Sequence, residues 1–268
     1  MAKGKTNHHH ILLTNDDGIN AEGLLALEEA LQEHVELTVV APHLERSASS
    51  HAISLQRPIR YEKISERKYA VEGTPADSVI LALNHLCPVA PDLVIAGINR
   101  GANLGENIFY SGTVAAAFEA VLNRVAAFAI SVATREVYPY EVAAAFAVEL
   151  ALKMLETEVP KGIVLNVNVP APWRNGVRLT RQARKMTRNY LVEGLDPRGR
   201  TYYWLHEQVD PARIEPDTDY AAVRAGSISI TPLQIDRTEH NLLHGLASWV
   251  EELNGFTPTP AARSRRTP

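Results

Sequence analysis

The sequence predicts an α/β protein: a doubly wound, mostly parallel sheet with a C-terminal β-hairpin extension and a terminal helix. Three observations carry this expectation. Short runs rich in Val, Ile and Leu alternate with helix-period segments from Ile11 to Val169, as in strands buried on both faces between crossover helices. After Val169 the pattern changes to extended runs joined by Gly- and Pro-containing turns. The chain has 268 residues, 46% hydrophobic and 22% charged, enough for one large domain or a domain with an appendage.

The strand candidates of the first part are Ile11–Thr14, Leu37–Ala41, Leu93–Ala96, Phe128–Ala133 and Ile163–Val169. Between them lie helix candidates at Glu22–Glu33, Pro75–Leu86, Thr113–Asn123 and Tyr140–Glu156. The second carries a start signal, with Thr74 as N-cap, Pro75 in the first turn and Asp77 three residues after the cap. Strand–helix–strand repetition of this kind implies right-handed crossovers in one sheet. Further on, Val177–Thr180, Met186–Val192 and Thr201–His206 read as strands. The last two are joined across Gly194, Pro197 and Gly199 as a hairpin standing off the sheet. Ser227–Thr231 reads as another strand and Asn241–Leu253 as the final helix. The expected organisation is a flexible arm (1–10), a Rossmann-like core (11–182), an extension with the hairpin and the final helix (183–256), and a disordered tail (257–268).

Composition excludes several classes. Lys and Arg number 27 against 31 Asp and Glu, a net charge of -4 that argues against a nucleic-acid-coating surface. The single cysteine, Cys87, permits neither an intrachain disulfide nor a thiolate zinc site. No apolar run approaches the roughly 20 residues of a membrane helix, and the polar N-terminus lacks a signal-peptide core, so the expectation is a cytoplasmic protein with no membrane or nucleic-acid partner. His8, His9 and His10 are assigned no function.

Ligands of an open parallel sheet collect outside the carboxyl ends of the strands. The first strand candidate is followed by Asn15-Asp16-Asp17-Gly18. Two adjacent carboxylates near a strand end call for a cation, and oxygen donors without a Cys/His cluster favour Mg²⁺, Mn²⁺ or Ca²⁺. The alternative is an Asx-rich turn relaxed by Gly18. The second strand runs into Arg46-Ser47-Ala48-Ser49-Ser50, a polar loop with hydroxyls to offer. The third leads to Gly97-Ile98-Asn99-Arg100-Gly101-Ala102-Asn103-Leu104-Gly105, then Tyr110-Ser111-Gly112-Thr113 and a helix whose N-terminus suits an anion, with Ser111 as cap. No Lys follows the glycines, which argues against a P-loop, and GxGxxG is absent. Carboxylates for a metal and a helix N-terminus for a phosphate on one rim point to metal-assisted phosphoryl transfer to water.

Several stretches in order resemble the SurE (survival protein E) nucleotidase family: Ile11 to Gly18, Val40-Ala41-Pro42 with Arg46-Ser47, Gly73 to Asp77, Gly97 to Gly101, Asn103-Leu104-Gly105, Tyr110 to Ala117, and Ser229 to Leu233. The resemblance implies a Rossmann-like core and a metal-dependent phosphatase acting on nucleoside 5′-monophosphates, with 3′-monophosphates and short polyphosphate as further substrates. It implies one divalent ion per subunit (Mg or Mn) on Asp16, Asp17, Ser47 and Asn99. Asn15, Asn103, Ser111, Gly112 and Thr113 fall in its phosphate shell, and Asp16, Asp17, Asn103 and Ser111 form the expected catalytic set. It also implies a homodimer or homotetramer built by exchanging the C-terminal extension, which agrees with a hairpin that would expose Tyr202, Tyr203 and Trp204 in a monomer. Ala48 stands where many members have Gly.

Three rival readings stay open, the last a purely structural oligomer that releases no phosphate from any substrate. An aspartyl-phosphate phosphatase wants Asp-x-Asp after the first strand, whereas here the carboxylates are adjacent. A receiver-like Mg²⁺-binding interaction module without turnover wants an acceptor Asp after a middle strand, where this chain has Asn99-Arg100. The basic run Arg174 to Arg188 is expected to steer anions or to pair with acidic surface in an oligomer. His206 and His240 are expected to be structural or interface residues.

Overall fold

The computed structural model describes residues 9–134, 140–157, 159–184, 187–210 and 214–255. In chain order the elements are β1 (His10–Thr14), α1 (Glu22–Leu31), β2 (Glu36–Pro42), β3 (Tyr61–Ser65), β4 (Lys68–Val71) and α2 (Pro75–Leu81), which runs into a π-helical turn at Ala82–Leu86. Then come β5 (Leu93–Arg100), a 3-10 turn at Gly105–Phe109, α3 (Gly112–Leu122), β6 (Ala126–Ala133), α4 (Tyr140–Glu156), β7 (Ile163–Pro170) and β8 (Val177–Leu179). The hairpin strands β9 (Thr187–Leu195) and β10 (Thr201–Val209), the short α5 (Asp219–Arg224) and β11 (Ile228–Gln234) complete a unit that ends at Ile235. A second unit from Asp236 holds α6 (Leu242–Gly245) and α7 (Ala247–Leu253).

Nine strands form one sheet in the order β3-β4-β2-β1-β5-β6-β7-β11-β8. The pairs β4–β2, β2–β1, β1–β5, β5–β6 and β6–β7 are parallel, while β3–β4 and β7–β11 are antiparallel. The expected doubly wound sheet is therefore present, with an antiparallel pair added at each flank. Tyr61–Ser65 escaped the sequence reading because every residue of that edge strand is exposed, so it carries no apolar signature. β8 pairs parallel with β11, in register Val177↔Ile228.

The strands are buried on both sides, and their alternation divides the core in two. Ile11, Leu13, Leu93, Ile95, Phe128 and Ile130 face one layer, where Leu24, Leu27 and Leu31 of α1 and Ala143, Ala147 and Ala151 of α4 cover them. Leu12, Val94, Ala96, Ala127 and Ala129 face the other, beneath α2 and α3. Burying one large apolar side chain stabilises by about 1.5–3 kcal/mol, so both layers contribute heavily. Alanines at 116, 117 and 120 on α3 meet Ala127 and Ala129 on the sheet, and small side chains on both partners bring the helix close to it.

The predicted cap of α2 is a full capping box: Asp77 N–H donates to Thr74 Oγ1 at 3.0 Å and Thr74 N–H to Asp77 Oδ2 at 2.9 Å. Asp77 also accepts from Ser54 N–H at 2.8 Å and Ser54 Oγ at 2.7 Å, tying the preceding loop to the helix start. Departures from the sequence reading are local. The predicted terminal helix is two short helices separated at Leu246, next to Gly245, a residue with low helix propensity. The strand β1 begins at His10, whose buried ring meets Thr38 Oγ1 at 2.9 Å, so this residue is part of the sheet. The tail from Thr257, and Lys185 and Met186, lie outside the described residues. No described helix is long and apolar enough to cross a membrane.

The hairpin strands pair antiparallel from Thr201↔Leu195 to Val209↔Thr187. Tyr202, Tyr203 and Trp204 are 43%, 57% and 63% exposed, as the sequence led one to expect of this chain taken alone. Its base is fixed to the core by Thr187, whose N–H and Oγ1 both donate to Glu106 Oε1, at 2.6 and 2.5 Å.

Candidate active site

β1 pairs with β2 on one side and β5 on the other, so the chain leaves the carboxyl ends of β1 and β5 in opposite directions. Such a switch point opens a crevice, and the segments leaving these two strands line it.

Asp16 lies just after β1 at the foot of the crevice and is 4% exposed. The Thr113 hydroxyl donates to Asp16 Oδ1, and Thr113 N–H also faces the carboxylate. Burial nevertheless pushes the Asp16 carboxyl up to about 6, with the Asp17 charge adding to the rise. Asn15 is spent on the turn itself: its Nδ2 donates to Gly18 O at 2.9 Å and its Oδ1 accepts from Gly18 N–H at 3.1 Å. Asp17 is half-buried, and its Oδ2 accepts from Arg100 N–H at 3.0 Å. Burial raises its pKa too, against the pull of that amide.

The serine-rich loop after β2 is pinned over this centre. Arg46 N–H donates to Asp16 O at 2.7 Å, Ser50 N–H to Tyr110 O at 3.0 Å and Ser50 Oγ to Phe109 O at 2.7 Å. Ser47 Oγ turns to Glu45 Oε1 at 2.6 Å. Just beyond, His51 Nε2 lies 2.8 Å from Glu119 Oε2 on α3. Gly112, the first residue of α3, is where helix, loop and carboxylate converge. A Cβ there would lie 2.8 Å from Ser49 Oγ and 2.9 Å from Asp16 Oδ2, so only glycine fits.

Asn99 is the penultimate residue of β5, and its Nδ2 donates to Gly101 O at 2.8 Å, which leaves its Oδ1 for a ligand. Asn103 is held on every side. Its N–H donates to Asn168 Oδ1 at 2.8 Å, its carbonyl accepts from Asn166 Nδ2 at 2.8 Å and Asn168 Nδ2 at 3.0 Å, and its Nδ2 donates to Ser131 Oγ at 2.8 Å. Ser111 caps α3, accepting from Val114 N–H at 3.1 Å, as its place in the sequence suggested. Gly105 N–H reaches the buried Asp219 Oδ2 at 2.8 Å, which fixes the turn into the 3-10 segment.

A cavity of about 480 Å³ brings together Asp16, Ser47, Asn99, Asn103 and Ser111. Asp17 lines an adjoining cavity, which shares Ser47 and Arg100 with the first. Asn15, Gly112 and Thr113 stand behind these walls as supports. Sequence reasoning missed Asn107, Asn189 and Glu207, which also line the main cavity, and the Asn166–Asn168 buttress. Two asparagines two residues apart in a buried strand share one face, and that was a legible signal. Nothing local marks Asn189 or Glu207, since both arrive on the hairpin. His206 instead stacks on Tyr190 at 5.5 Å along the hairpin, and His240 pairs with Asp236 at 2.8 Å. Within the basic run, Arg181 pairs inside the chain with Glu215 and, at 2.7 Å, with Asp217.

The donor chemistry suits a hard cation. Two carboxylates whose pKa values burial has raised gain from a nearby positive charge, and Asp16 has no ion-pair partner among the described residues. Ser49 Oγ, buried beside Asp16, has no hydrogen-bond partner among the described residues. Among the described residues no three His, Cys, Asp or Glu side chains cluster for a metal. The set is thus one or two carboxylates with neutral oxygens, as for an ion that keeps much of its water and takes phosphate oxygens as ligands.

The family model for Survival protein SurE matches residues 11–189. The chain is 46% identical over 254 residues to the 5'-nucleotidase SurE of Anaeromyxobacter sp. (strain Fw109-5), covering 94% of this chain and 99% of that protein. It is 46% identical over 244 residues to the 5'-nucleotidase SurE of Geobacter sulfurreducens, covering 90% and 93% respectively. The crystal structure of the SurE protein from Aquifex aeolicus superposes with a TM-score of 0.81 at 36% identity, over 90% of this chain and 99% of that one.

Proposed function

This chain belongs to the SurE family, and from that premise we propose that it is a divalent-metal-dependent phosphomonoesterase. Its substrates are nucleoside 5′-monophosphates, with 3′-monophosphates and short polyphosphate as further substrates. The observation that carries the reading is the buried Asp16 carboxylate facing a cavity of about 480 Å³, where Ser47, Asn99, Asn103 and Ser111 add hydroxyls and amides beside the N-terminus of α3. These polar groups and the helix N-terminus orient a phosphate beside the carboxylate that would hold the metal.

Asp16, Asp17, Ser47 and Asn99 would hold one Mg²⁺ or Mn²⁺ ion. When bound, the ion supplies charge neutralisation at phosphate oxygens and makes water more acidic. The protein supplies positioning. Thr113 keeps the Asp16 carboxylate oriented through its hydroxyl and its N–H. Ser111 and Asn103 present their side chains to the phosphate, and the α3 dipole favours the negative charge that grows there. Asn166 and Asn168 lock Asn103 so that little reorganisation is needed during transfer.

The division into a core of residues 11–182 and an extension of residues 183–256 accords with this role, because the hairpin completes the cavity through Asn189, Leu205 and Glu207. The exposed Tyr203, Trp204 and Leu205 support a homodimer or homotetramer through that extension.

The test is phosphate release from a panel of nucleoside 5′- and 3′-monophosphates with Mg²⁺ or Mn²⁺, beside an EDTA control. Release that disappears with EDTA is the expected result. No release from folded, metal-supplemented protein would overturn the reading in favour of a binding module without turnover.

A further inference from the structure

A second cavity, about 610 Å³, opens beside the catalytic one, and the two share Ala102, Asn107 and Glu207 as a common wall. Its volume lies within the range of small-ligand sites, about 300–1,000 Å³. Away from the shared wall its lining is largely apolar: Leu104, Val209, Val223 and the ring of Tyr220. That ring is packed against Gly105, where a Cβ would come within 3.0 Å of Tyr220 Cε2 at a backbone φ of +52°.

The junction between the cavities has a definite polarity. Asn107 belongs to the 3-10 turn, and its backbone is fixed by bonds to Leu104 O and from Tyr110 N–H, both 3.0 Å. Its Nδ2 donates to Glu207 Oε2 at 3.3 Å. Its Oδ1 is buried and has no partner among the described residues. The junction thus presents the Glu207 carboxylate, held by the Asn107 amide, at the exit of the phosphate cavity.

Resting on the phosphatase reading, we infer that the second cavity is the nucleoside compartment, in which the Glu207 carboxylate, held by Asn107, accepts hydrogen bonds from the ribose hydroxyls. In a 5′-monophosphate the group next to the phosphate is the sugar, whose neighbouring 2′- and 3′-hydroxyls are two donors on one edge. A carboxylate is a familiar partner for such hydroxyls. The base then enters the apolar part, against Tyr220, where contact rather than hydrogen bonding holds it. Sugar hydroxyls are therefore read more strictly than the identity of the base.

The experiment compares kcat/KM for 5′-AMP and 2′,3′-dideoxy-5′-AMP in the full-length protein and in its Asn107→Ala and Glu207→Gln variants. Calorimetric titration with adenosine and 2′,3′-dideoxyadenosine runs in parallel, and circular dichroism checks folding. The wild-type protein is expected to favour the ribonucleotide by about tenfold or more, and each variant to shrink that ratio to about threefold or less. Phosphate release at equal efficiency from both nucleotides, or a ratio kept intact in both variants, overturns the inference. If no phosphate is released while adenosine still binds better than its dideoxy analogue, the phosphatase reading fails and the compartment stands.

Discussion

Thr113 hydrogen-bonds the Asp16 carboxylate through both its hydroxyl and its backbone N–H, so the first turn of α3 and the end of β1 act as one rigid part. Everything placed on that part depends on Asp16 being present and correctly turned. Asp16→Asn keeps the shape but removes the charge. We expect it to fold normally by circular dichroism and to lose phosphate release by at least about a hundredfold, comparable to the loss of one key electrostatic group elsewhere. Near-normal turnover would remove Asp16 from the site.

The same carboxyl makes stability depend on pH. Its folded-state pKa of about 6 is above the ordinary value of 3.8, so the stability it contributes is full below about 4 and is lost as pH rises through 6. With divalent ions chelated, Tm is expected to fall across that window by an amount worth up to about 3 kcal/mol. Asp16→Asn should be flatter over the same range, and the difference between the two proteins isolates this group from the other carboxylates. Parallel curves would show that Asp16 is not responsible.

Gly112→Ala places a methyl group against Ser49 Oγ and the Asp16 carboxylate together. Overpacking of this kind costs about 1–3 kcal/mol. The expected outcome is a modest fall in Tm with a much larger fall in kcat, because the displaced atoms include Asp16. A chemical-denaturation curve beside a steady-state assay separates the two effects.

Asn168→Ala removes the acceptor for Asn103 N–H and one donor to its carbonyl. A buried backbone amide then loses its partner, at a cost of about 1–3 kcal/mol. Because Asn103 lines the catalytic cavity, kcat should fall as well, while the other wall of the site stays unchanged. Retained kcat with lowered Tm would reduce Asn168 to a purely structural role.

The capping box at α2 offers a test away from the site. Asp77→Ala loses its bonds to Thr74 and to both Ser54 groups and is expected to destabilise by about 2 kcal/mol or more, above the usual worth of a single cap. Thr74→Ala should cost about 1 kcal/mol. Equal losses in thermal denaturation would show that the Ser54 bonds contribute nothing.

Legibility in the sequence tracks burial. β1 and β5 are buried almost throughout, so Ile11–Thr14 and Leu93–Ala96 announce themselves by composition, and the residues after them could be placed at the crevice. Ser111 and Thr74 were legible because caps are local. Asp219 and Glu207 were not, because their roles exist only through contacts to Gly105 and Asn107, which lie more than ninety residues earlier in the chain. Tyr61–Ser65 shows the opposite limit, an edge strand held by pairing to β4 rather than by an apolar face.

The bond from Gly105 N–H to Asp219 has an order of events built into it. During synthesis the turn leaves the ribosome long before its carboxylate partner has been made. The nascent chain can carry both aspartates of the crevice and still lack the anchor that sets its far wall. The far wall of the crevice is thereby anchored only once Asp219, at the start of α5, has been made, so the site is assembled from segments completed late as well as early in synthesis.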